Sequence, residues 1–157
     1  MEKTREKEES LKVLFKDAIE ESLNTINGEK NFAVYVLVKP EKEVQMPYFY
    51  IKDNQGVLYE IGCLTRSYHS VNLYLFNETL SELGIDYAEL GKNILQSLER
   101  KIGNNKEDII QDLKNSLRKE NSTMSETRVL IIETKTEYAV GHVIASESFR
   151  NIDNLKM

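Results

Sequence analysis

The chain has 157 residues, 40% of them hydrophobic and 30% charged, with a formal net charge of -5. That length suits one domain burying roughly 70% of its extended-chain surface, and the apolar share is too high for a disordered polymer. The lone cysteine, Cys63, excludes an intramolecular disulfide and any four-cysteine metal site, as expected of a reducing compartment. The acidic balance disfavours direct nucleic-acid binding, since neutralising phosphates needs a surplus of Lys and Arg, and points instead to a protein partner with a basic surface.

The stretch Met1 to Ser10 carries no continuous apolar run of the kind a secretory signal needs, and no later stretch approaches the roughly 18 apolar residues of a membrane span. The expected location is cytoplasmic, without a membrane partner.

Taken in chain order, apolar residues recur at three- and four-residue steps from Leu11 through Leu14, Phe15, Ala18, Ile19 and Leu23 to Ile26, which predicts a helix over 6–27 capped by Asn27-Gly28. Residues 32–39 are apolar on both faces, as in a central strand, and Pro40 should end it. Strands at 48–53 and 57–62 flank Asp53-Asn54-Gln55-Gly56, a type I turn with a left-handed glycine. That turn sets a register: Lys52 opposite Leu58, Ile51 opposite Tyr59, Tyr50 opposite Glu60 and Phe49 opposite Ile61. Phe49, Ile51, Tyr59 and Ile61 should then face the core, and the alternate set should be more solvated.

Cys63 to Ser70 reads as loop or continuing strand. From Val71 onwards two periods compete: Val71, Leu73 and Leu75 alternate, while Leu73, Phe76, Leu80 and Leu83 fit a helix, and the helix is favoured over 75–83. Asp86 caps a helix over 87–102, with Leu90, Ile94, Leu95, Leu98 and Ile102 inward, and a further helix is predicted over 106–119. Strands at 129–133 and 138–146 form a second hairpin, and Ser148 to Met157 should be a helical or irregular tail. The order is that of a single α+β domain over 1–157, with a mixed or mainly antiparallel sheet of about five strands and helices mainly on one face.

Glycine-rich phosphate loops and the common hydrolase motifs are absent from the sequence, so no cofactor, metal or catalytic residue is assigned. Cys63 could act as a nucleophile only with His69 or His142 beside it, and its place after an apolar strand reads as a small buried hydrophobe. His142 shares strand parity with Val140 and Ile144 and is expected to face the core. The segment Leu80 to Leu90 imitates a helix-turn-helix, but its second helix opens with Asp86 and Glu89, which would repel phosphate, so it reads as an ordinary helical hairpin. Glu78, Glu82, Asp86 and Glu89 form a dense acidic set around one turn, and Tyr48, Tyr50 and Tyr68 have the amphipathic side chains that anchor interfaces. The candidate protein-binding residues are therefore Glu78, Glu82, Asp86, Glu89, Tyr48 and Tyr50.

The segments Leu73 to Phe76, Glu82 to Leu90, Arg128 to Thr134 and Glu137 to Ala145 resemble the C-terminal half of an uncharacterised family encoded on mobile elements of low-GC Gram-positive bacteria. Where that family has a glycine-alanine step, this chain reads Ala139-Val140-Gly141. The family defines no catalytic residues. What the resemblance implies is a genomic setting in which small acidic proteins often oppose host defences. The expected function is a non-enzymatic inhibitor, from a phage or mobile element, of a host nucleic-acid-processing defence enzyme in the manner of an anti-CRISPR or anti-restriction protein. The partner would be a nuclease or its guide complex. The alternative is a structural or regulatory interaction module, a homodimer formed by sheet-edge pairing, with no defence role.

Overall fold

The computed structural model describes residues 11–27, 32–41, 44–67, 70–103, 127–135 and 140–149. Its elements are α1 (Leu11–Asn27), β1 (Val34–Glu41), β2 (Val44–Lys52), β3 (Leu58–Arg66), β4 (Ser70–Phe76), α2 (Asn77–Glu82), α3 (Tyr87–Gly103), β5 (Thr127–Thr134) and β6 (His142–Phe149). The six strands lie side by side in chain order in one sheet. Every neighbouring pair is antiparallel except β4 and β5, which run parallel and so need the crossover that begins with α2 and α3. The fold is α+β with a mostly antiparallel sheet, as expected, and has one strand more than the sequence suggested.

The three- and four-residue spacing of α1 turns Leu11, Phe15, Ala18, Ile19 and Leu23 inward, where they meet Leu90, Ile94, Leu95 and Leu98 of α3. Both helices cover the same face of the sheet, packing on Phe49, Ile51, Ile61, Leu64, Leu73, Leu75 and Ile131. Each such side chain contributes roughly 1.5–3 kcal/mol when taken fully out of water. On the opposite face Tyr48, Tyr50, Cys63 and Phe76 form a second buried cluster, with Met46 and Tyr74 packed against it. The strands from β2 to β4 are thus buried on both faces.

The predicted turn is present: Asp53 Oδ1 accepts from the Gln55 and Val57 N–H groups, and Gly56 takes a φ of 85°, which a side chain would disfavour. The register holds for Lys52, Ile51 and Tyr50 and then shifts at a bulge, so that Phe49 faces Gly62 rather than Ile61. Tyr50 and Tyr48 lie on the alternate face as the register expects, but that face is not solvated there, because they belong to the second cluster.

Several boundaries differ from expectation. The 32–39 segment is not a central strand but the edge strand β1, and it continues through Pro40 to Glu41. An edge strand tolerates proline when the ring nitrogen lies on the unpaired side. Leu75 and Phe76 are strand, not helix: Leu75 pairs with Gly62 on one side and Glu133 on the other. Two flanking ladders outweigh the local helical spacing, and only Asn77–Glu82 coils. β3 continues to Arg66, and β6 starts at His142 and runs on to Phe149, into what read as a tail. Residues 6–10, the predicted helix at 106–119, Tyr68, His69 and residues 150–157 lie outside the described residues. Among the described residues no helix is long and apolar enough to cross a membrane.

Candidate functional site

Four of the six residues singled out from sequence come together at the corner where β4 gives way to α2 and α3. The chain leaves β4 at Phe76, and the Asn77 side-chain amide donates to the Glu133 carboxylate of β5, tying the start of α2 to the sheet. Leu80, Ile85 and Leu90 are buried in the main core. Between them the backbone closes tightly: the Ile85 N–H donates to the Leu80 carbonyl at 2.8 Å, and the Gly84 N–H to the Ser81 carbonyl at 3.0 Å.

With those apolar residues turned inward, Glu78, Glu82, Asp86 and Glu89 are all exposed. Asp86 also has a structural task, because its Oδ1 accepts from the Ala88 N–H at 3.0 Å and the Glu89 N–H at 3.3 Å, capping α3. No Lys or Arg occurs between Asn77 and Gly91, so nothing within the segment neutralises the four carboxylates. Among the described residues no group of three or more His, Cys, Asp or Glu is placed to hold a metal ion. The carboxylates are spread over a surface rather than gathered at a point.

The hairpin tip adds to this corner. Tyr59 donates from its hydroxyl to Asp53 Oδ2 at 3.2 Å. That hydrogen bond and the Asp53 charge hold the Tyr59 phenol above its usual range, and the charge of Glu82 pushes in the same direction. Glu82 of α2 and Asp53 of the β2–β3 turn therefore act on one tyrosine. Asp53 is held below the usual carboxylate range, first by the Val57 N–H. Sequence reasoning saw Asp53 only as a turn residue, since nothing local signals that the turn lies near α2.

The tyrosines depart from expectation. Tyr48 is fully buried and Tyr50 is 9% exposed, so neither offers an anchor at the surface. The reason is the second cluster, which closes over a sheet face that alternation alone would leave wet. Cys63 is a buried thiol in that cluster, as its sequence position suggested. His142 is exposed rather than core-facing. It opens the edge strand β6 opposite Glu133, and an inserted residue at Ile144 breaks the alternation on which the expectation rested.

No protein-family model matches the chain. No curated protein matches it, and no solved structure does.

Proposed function

We propose that the protein works by binding rather than by catalysis, docking its acidic α2–α3 corner on a basic surface of a protein partner. The partner is a host nucleic-acid-processing defence enzyme, which the corner inhibits by occupying a channel built for phosphates, and the setting is the cytoplasm of a bacterium carrying a phage or mobile element. The observation that supports this reading is the exposure of Glu78, Glu82, Asp86 and Glu89 on one hydrogen-bonded corner without an intervening cation. Carboxylates held on a rigid backbone present a negative potential that a basic channel meets without reorganisation, and such complementarity speeds association and selects partners.

The test is a triple charge reversal, Glu78→Lys, Glu82→Lys and Glu89→Lys, leaving Asp86 to cap α3. Tagged protein is used to capture partners from a lysate with intact defence systems, and nuclease activity of the purified partner is then assayed with each form. Loss of capture and of inhibition in the variant, with steep salt dependence in the parent, is expected. Full retention of both by the variant would exclude the corner.

A further inference from the structure

No further inference is drawn: the strongest candidate, the exposed apolar patch that Tyr35 and Leu37 of β1 and Leu58 of β3 present on the sheet face away from the helices, carries nothing because nothing in the structure shows what covers it.

Discussion

Glu21 of α1 accepts a hydrogen bond from Arg100 Nη2 of α3 at 2.5 Å, while its second oxygen accepts from Ser97 Oγ at 3.1 Å and lies 3.2 Å from Lys101 Nζ. One carboxylate thus joins the two helices that cover the sheet. Arg100 first of all, then Lys101 and Ser97, hold the Glu21 carboxyl down to about 2 against an ordinary value of 4.5. A depressed carboxyl stabilises the fold above its unfolded value and stops doing so as pH falls through the folded one. The wild type should therefore exceed Glu21→Gln in stability at neutral pH, with the gap closing between about pH 4.5 and 2. Thermal unfolding of both proteins across that window checks it. The group is 40% exposed, so the gap should be modest and shrink with added salt.

Gly62 should resist any side chain. A Cβ there would lie 2.2 Å from the Tyr74 carbonyl oxygen, a backbone atom of the neighbouring strand that cannot swing aside. Gly62→Ala is expected to cost roughly 1–3 kcal/mol or more, the usual penalty for overpacking. Denaturant unfolding measures it.

Tyr48 distinguishes core from surface. As a fully buried side chain it should cost about 3–5 kcal/mol when truncated to alanine, through lost contacts and the cavity left behind. Tyr48→Ala should lower the unfolding midpoint strongly. Any partner captured by the wild type should still bind the folded fraction of the variant with unchanged affinity.

Asp53→Asn separates charge from turn geometry. The substituted amide keeps an oxygen able to accept from Gln55 and Val57, but the negative charge beside Tyr59 is gone. The Tyr59 phenol should then move down towards its ordinary value, since the Asp53 hydrogen bond and charge are the leading causes that raise it. An NMR titration following the Tyr59 ring reads the shift. In the wild type this tyrosine helps hold the fold below its unfolded value, and the contribution is lost as pH rises through the folded one.

Removing the Glu20 carboxylate should free the outer end of β1. Glu20→Ala leaves the Val34 N–H without its acceptor, at a cost of about 1 kcal/mol, and should speed exchange at that amide while sparing Ile51 across the ladder. Site-resolved hydrogen exchange tests both parts.

How far the sequence could be read depended on how local the deciding contacts were. The inward face of α1, the Asp86 cap and the turn from Asp53 to Gly56 follow from residues at most a few positions apart, and the structure holds all three. The register ran true outward from the turn until Phe49, where a bulge intervened that no turn rule foresees. The acidic corner was legible as a set because its four carboxylates are close in sequence and their apolar neighbours face inward. The addition of Asp53 was not, since it depends on a hairpin tip coming near a helix that starts more than twenty residues later.

By itself the sequence determined the helical faces, the hairpin turn, the α+β order and the exposure of the acidic set, because periodicity and turn chemistry act over short separations. Only the tertiary structure decided that Tyr48 and Tyr50 are interior, that Leu75 and Phe76 are strand, and that Val34 to Glu41 is an edge rather than a centre. Those outcomes depend on which strand lies beside which, and a strand's own residues carry the same alternation whether its neighbour is another strand, a helix or water.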